Sequence, residues 1–429
     1  MKYKPYPNYK DSGIKWIGEI PEGWKILPIK GICELGRGRV ISNEEIGENE
    51  GAYPVYSSQT INNGEMGRTN TYNFSGEYVT WTTDGANAGT AFYRNEKFNC
   101  TNVCGTLKKR NNRIYMKLLP YILNHITKYY VRYDINPKLM NDMMARIEIF
   151  LSPLTEQIVI ANFLDKKIAR IDALIEKDKK LIALLKEKRA ALINNSVTKG
   201  LDPNANMKDS GTEWIGEIPE GWEIKKLKFV SDVYISNVDK KIHSNEDSVL
   251  LCNYIDVYKN EFITSNLDFM KATANIAQIK KLSINKNDVI ITKDSETIEE
   301  IAIPALVSED LKNIVCGYHL SIVRSYKEEL IGQYLFRLFQ SKKFSERFSI
   351  NANGVTRFGI STYPIKNILI LIPSKQEQIA IAEYLDKNTL KIDKTIHKIQ
   401  RKIKLLEEYK KSLIHHTVTG KVDVREVKV

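Results

Sequence analysis

Two stretches of the chain place apolar residues at alternating intervals of three and four. In the first, Ala161, Leu164, Ile168, Ile171, Ile175, Ile182, Leu185 and Leu192 form one stripe with no Gly or Pro between them. In the second, Leu385, Ile392, Ile396, Ile399, Ile403, Leu406 and Leu413 do the same. This spacing predicts two long helices, from Ser152-Pro153 to about Thr198 and from Lys375 to about Thr419. A rod of that size spans roughly 66 Å at ~1.5 Å per residue. Lys199-Gly200-Leu201-Asp202-Pro203 reads as the stop of the first, with Gly and then Pro just past the last turn. A stripe this narrow cannot be buried by a lone helix, so the two are expected to pair as an antiparallel coiled coil. The pairing residues would be Leu164, Ile168, Ile171, Ile175, Ile182 and Leu185 against Leu385, Ile392, Ile396, Ile399, Ile403 and Leu406. Asp178 and Arg189 interrupt the first stripe where the second has Ile399 and Lys410. Such polar positions either fix register or lie at exposed turns.

Outside the helices the pattern shortens. Residues 25 to about 150 carry strand-like runs such as Tyr78–Thr82, turn signals at Asn63-Gly64 and Asp84-Gly85, and one helical stretch near Tyr115–Tyr129. A second block, Glu223 to about Ile372, has strand-like Val249–Tyr254, Asp288–Thr292 and Leu320–Val323, then helical residues near Glu329–Phe348. The predicted class is α+β: two mixed α/β domains joined by two long antiparallel helices. The expected boundaries are 1–150, 151–205, 206–372 and 373–429.

The plan is written twice. DSGIKWIGEIPEGW at Asp11–Trp24 returns as DSGTEWIGEIPEGW at Asp209–Trp222, with 12 of 14 positions identical. Glu156–Asp172 is echoed by Glu377–Asp393. The copies are 198 residues apart at the marker and 221 at the helix start, so the second variable block is longer by 23 residues. A period this long implies a pseudo-symmetric molecule with two related surfaces, not a solenoid. Duplex DNA is the commonest ligand with matching two-fold character. The repeated tryptophans (Trp16, Trp24, Trp214, Trp222) are expected to pack against helix ends as scaffold.

Composition narrows the partners. Lys+Arg 64 against Asp+Glu 52 gives a formal charge of +12, which favours phosphate backbones or anionic surfaces. No apolar run approaches a membrane span, the N-terminus has no signal core, and five scattered cysteines fit buried thiols in a cytoplasmic protein. Catalytic constellations are missing. There is no GxxxxGK[ST] loop and no adjacent Pro-Pro, so the Asn/Asp-Pro-Pro-aromatic motif of amino-methyltransferases is absent. Cys100 and Cys104 lack a second pair, and His415-His416 reads as a cationic helix end and not a metal site. The chain reads as non-catalytic.

The marker and the Pro-x-x-x-Glu-Gln-x-x-Ile-Ala-x-x-Leu-Asp helix start, each in order and each present twice, resemble the DNA-specificity subunit of type I restriction–modification systems. That resemblance implies two target-recognition domains, each reading half of a split duplex DNA sequence across an unread gap. It also implies two methylation subunits and two restriction subunits as partners. S-adenosylmethionine, ATP and magnesium would then sit on those partners, with no cofactor on this chain. A self-contained DNA methyltransferase and a coiled-coil scaffold that never touches DNA are the rival readings. In one respect the chain departs from the pattern: the first helix start, Pro153–Gln157, is one residue shorter than Pro373–Gln378, which leaves its phase open.

Base reading needs polar side chains on loops. In the first block the candidates are Thr83 and Asn87 on the Thr82–Gly89 loop, with Arg37, Arg39, Arg68 and Arg94 as basic residues for phosphate or base contact. In the second block they are Lys293, Ser295 and His319, together with Asn353, Thr356 and Arg357 on a glycine-containing loop.

Overall fold

A computed structural model describes residues 3–14, 17–133 and 136–427, so Trp16 lies outside the described residues. Both long helices are present: α1, Leu154–Lys199, and α2, Lys375–Val418. The chain forms two compact units, Met1–Asp178 with Gln400–Val429, and Lys179–Ile399. The division between the two units falls within both long helices, at Asp178/Lys179 and Ile399/Gln400. Each unit takes one globular block, half of α1 and half of α2, because each half-stripe is buried against the other helix and the neighbouring block.

In unit 1, Leu164, Ile168, Ile171 and Ile175 are buried in one core with Leu413 and the half-buried Ile403 and Leu406. Lys410 Nζ reaches Asp172 Oδ1 at 2.7 Å and Lys402 Nζ reaches Asp178 Oδ2 at 2.8 Å. Partner numbers fall along α2 as they rise along α1, so the halves run antiparallel. In unit 2, Leu385, Ile392, Ile396 and Ile399 are buried while Ile182 and Leu185 are half-buried. There Arg189 Nε meets Asp393 Oδ1 at 3.0 Å. Asp178 and Arg189 thus sit at paired positions in mid-helix, which decides between the two readings of the interrupted stripe.

Each marker folds as a small antiparallel hairpin, Tyr9–Asp11 with Glu19–Pro21 and Met207–Asp209 with Glu217–Pro219. Trp24 and Trp222 then turn inward. Trp24 Nε1 donates to Glu156 Oε1 at 2.9 Å, and Trp222 Nε1 donates to Glu377 Oε2 at 3.0 Å. The two sequence echoes are therefore the two halves of one joint. The neighbouring glutamines, both fully buried, complete it. Gln157 Nε2 donates to the carbonyls of Ser152 and Arg113 while its Oε1 accepts from the Tyr115 amide. Gln378 repeats this with Pro373, Glu329 and Ile331. Ser152-Pro153 against Pro373-Ser374 is thus an exchange of order, not a deletion, and the phase of α1 is unchanged.

The chain's last residues belong to the first unit. Tyr9 donates its hydroxyl to the Gly420 carbonyl at 3.0 Å, the Asp423 amide donates to the Lys4 carbonyl at 2.8 Å, and Val424 is fully buried. In unit 2 the end of α1 meets the marker the same way, since a side chain at Gly200 would touch Trp222 and Pro219.

Smaller expectations changed. The helical stretch near Glu329–Phe348 is two helices, Gly332–Phe339 and Lys342–Ile350, broken where Ser341 bonds back to the Leu338 carbonyl at 2.8 Å. The stretch near Tyr115–Tyr129 keeps α-helix over Leu119–Ile126. His415 is not an exposed cation at a helix end: it lies half-buried with Nδ1 2.9 Å from Nε2 of His125. All five cysteines are buried. Among the described residues no helix is long and apolar enough to cross a membrane.

Candidate nucleic-acid interface

The globular blocks share little sequence but a common strand path. In unit 1, strands β1 (Cys33–Arg37), β2 (Tyr53–Tyr56), β3 (Glu65–Thr69), β4 (Phe74–Thr82), β5 (Ala91–Cys100) and β6 (Cys104–Lys109) lie in the order β1-β6-β4-β5-β2-β3. All pairs are antiparallel except β2 with β5. In unit 2, β7 (Ser231–Ile235), β8 (Asp247–Cys252), β9 (Met270–Ala274), β10 (Val289–Thr292), β11 (Pro304–Val307), β12 (Ile314–Cys316) and β13 (Leu320–Ser325) follow the same path. One sheet runs β7-β13-β10-β11, with the short strand Phe262–Ile263 added parallel to β11, and the other runs β9-β8-β12, with β8 parallel to β12. The single strand β5 is thus matched by two pieces, β11 and β12. The repeat therefore extends through the blocks whose sequences conceal it.

Backbone pairing aligns the loops residue by residue. In unit 1 the Thr83 amide donates to the Val103 carbonyl and the Leu139 amide to the Thr83 carbonyl, both at 2.9 Å. In unit 2 the Lys293 amide donates to His319 at 2.8 Å and the Ile360 amide to Lys293 at 2.9 Å. Thr83 thus corresponds to Lys293, Val103 to His319, and Asp84 to Asp294. A segment tied off by paired backbone bonds follows each loop. Its ends are Arg132 and Lys138, bonded both ways at 3.0 Å, or Asn353 and Gly359, bonded both ways at 2.9 Å. Asp84 faces Lys138 and Asp294 faces Gly359 across these closures. The turn before each hairpin is held by the same device. The Thr82 hydroxyl donates to the Asn87 carbonyl, and the Thr292 hydroxyl donates to the Glu300 carbonyl at 2.6 Å.

The candidates distribute unevenly over this face. Arg37 is exposed and donates through Nε to the Asn102 carbonyl at 2.6 Å, beside the Val103 turn. Asn87 is exposed on its hairpin, and Lys128, Tyr129, Arg132 and Tyr133 are exposed on the segment leading into the closing loop. That basic, tyrosine-rich segment escaped the sequence reading, although Lys128-Tyr129-Tyr130-Val131-Arg132-Tyr133 is itself a visible alternation of basic and aromatic residues. Arg39 spends its fork on Glu45, and Arg68 spends its fork on Glu65 away from the loops.

Three candidates are internal. Thr83 is fully buried. Arg94 is 5% exposed, with its guanidinium 3.4 Å from the Tyr56 ring centre and bonds to Thr80 and the Asn63 carbonyl. Ser295 is 4% exposed and bonded to Glu300 and Tyr254. All three are covered by neighbouring parts of their own unit, which an unaligned sequence does not reveal.

In unit 2 the structure gathers the remaining candidates. Asp294 Oδ2 lies 3.1 Å from both Lys293 Nζ and His319 Nδ1, and Arg357 Nη2 lies 3.3 Å from His319 Nε2. Asn353, Thr356 and Arg357 are exposed on the closing hairpin, and Tyr318 is 48% exposed beside them. Among the described residues no group of three or more His, Cys, Asp or Glu is placed to hold a metal ion.

The same strand path recurs in the two units, with a different set of loop side chains on each copy. Residues 21–184 and 219–407 match the type I restriction modification DNA specificity domain. The chain belongs to that family of type I specificity subunits. It is 51% identical over 142 residues to a putative type I specificity subunit N-terminal protein of Mycoplasma pneumoniae, covering 33% of this chain and 76% of that one. It is 25% identical over 444 residues to the MjaVIII specificity subunit of Methanocaldococcus jannaschii, covering 98% of each. The chain spans 76%, 55% and 38% of three M. pneumoniae relatives. A solved chain from a study of type I R-M complex assembly and conformational transition shares the fold with TM-score 0.67 at 12% identity, covering 94% of this chain and 99% of that chain.

Proposed function

We propose that this chain reads a bipartite, asymmetric duplex DNA target, one half-site per unit, and scaffolds the methylation and restriction subunits that act on it. The observation that carries this reading is the pair of aligned loop sites. The shared strand path and the Asp84/Asp294 position are constant, while the residues around them differ. A protein that recognises two unlike half-sites needs that division, because phosphate contacts position a reader while base-edge contacts specify. The +12 formal charge supports the same partner.

The chain is proposed to be non-catalytic and cytoplasmic. S-adenosylmethionine, ATP and magnesium would be bound by two methylation and two restriction subunits. The test is an exchange of residues 25–150 for those of a relative, followed by mapping of methylated adenines. One half-site should change and the other should persist. A change in both half-sites, or duplex binding that ignores salt, would defeat the proposal.

A further inference from the structure

We propose that Arg357 reads a guanine in the half-site presented to unit 2, with His319 and Asp294 as its positioning residues. This rests on the DNA-reading role proposed above. His319 Nδ1 lies 3.1 Å from Asp294 Oδ2 and its Nε2 lies 3.3 Å from Arg357 Nη2, so a ring that donates from Nδ1 to the carboxylate would present Nε2 as an acceptor to the guanidinium. Among the described residues, this is the one hydrogen bond that the Arg357 guanidinium makes. Its fork is not consumed, unlike Arg39 and Arg68, whose guanidiniums are each doubly engaged by a glutamate.

The support beneath it is tight. Gly359 pairs in register with Asp294, and a Cβ at Gly359 would stand 2.8 Å from Asp294 Oδ1. Paired backbone bonds between Asn353 and Gly359, and one from the Ile360 amide to the Lys293 carbonyl, tie off the segment that carries Arg357. An exposed guanidinium steered from one side, with further donors available among the described residues, suits the O6 and N7 acceptors of guanine, the commonest specific contact in the major groove. Unit 1 keeps only the acid of this chain, Asp84, and has Val103 and Asn136 at the two other positions. The difference in donors falls where two readers of unlike half-sites need to differ.

The experiment compares full-length wild type, R357Q, H319Q and the double variant, each assembled with the methylation subunits. Each complex is used to select from a randomised duplex library at two salt concentrations. R357Q is expected to relax the preference for guanine at one position of one half-site by about ten-fold or more, and to leave the other half-site untouched. H319Q should relax that same position, and the double variant should add little to R357Q. Uniform weakening across all sequences, with the salt slope reduced by about one, would identify a phosphate contact and overturn the proposal. An unchanged preference at every position would overturn it as well. Failure of the wild-type complex to select any sequence would sink the DNA-reading role itself, which is a separate outcome.

Discussion

Trp24 and Glu156 are joined by a 2.9 Å hydrogen bond from the indole to the carboxylate, and Tyr6 donates to the same oxygen at 2.7 Å. Glu156 is 8% exposed, so these two donors stand in for its lost water. Burial and then the Glu156 carboxylate hold the Tyr6 hydroxyl far above its ordinary pKa, so it remains a donor. Replacing Trp24 with Phe removes one donor from a buried acceptor. We expect a loss of about 1.5–3 kcal/mol from unit 1, read as faster hydrogen exchange in residues 3–178 with unit 2 unaffected. A loss below about 0.5 kcal/mol would show that the repeated Trp–Glu pairing is incidental.

Lys410–Asp172 and Arg189–Asp393 occupy equivalent positions, 221 residues apart, yet they should differ in strength. Lys410 and Asp172 are substantially exposed, so a double-mutant cycle should give a coupling of about 0.2–1 kcal/mol. Arg189 is less exposed and also bonds Glu261 at 2.6 Å, tying α1 to the globular block. Arg189→Ala is expected to destabilise unit 2 by more than Lys410→Ala destabilises unit 1. Equal losses in urea titrations would contradict this.

The helices were legible because burial imposes a period on the sequence, and Ile168, Ile171, Ile175, Ile392, Ile396 and Ile399 all lie in that buried stripe. The marker and the helix start were legible as repeats, though their meeting at Glu156 and Glu377 was not. Pairing at 132 and 155 residues' separation leaves no local trace. The strand path common to both blocks was invisible for a related reason. A strand asks only for alternation and a buried face, so different residues build β4 and β10 equally well. The loop sites were partly legible: residue type located Lys293, His319 and Arg357, but could not separate them from inward-facing Arg94 and Ser295.

Arg94 provides a direct check on that separation. Its guanidinium lies against Tyr56, and burial pulls its pKa below the usual arginine value. Arg94→Ala should cost about 3 kcal/mol of unit 1 stability through the lost stacking and the unpaired Asn63 carbonyl. Base preference in the surviving folded protein should be unchanged. A specific change at one base pair, with stability intact, would return Arg94 to the proposed reading surface.

The His125–His415 contact predicts a pH dependence confined to unit 1. His125 is pushed down to about 4, first by burial and then by His415 and Lys128. His415 is lowered by burial and then by His416, Lys128 and Lys421. In the unfolded chain both imidazoles titrate near 6.5. The unfolded state therefore takes up protons that the folded state resists. The stabilisation is fully present above about pH 6.5 and is lost as pH falls toward about 4. His125→Gln removes one of the two groups while leaving every carboxylate in place, so the difference between wild type and variant isolates the histidine contribution. That difference, measured from urea midpoints between pH 7.5 and 4.5, should hold above about pH 6.5 and shrink as the pH falls below it. A difference that does not vary with pH would mean that the two rings are neutral neighbours without linkage to folding.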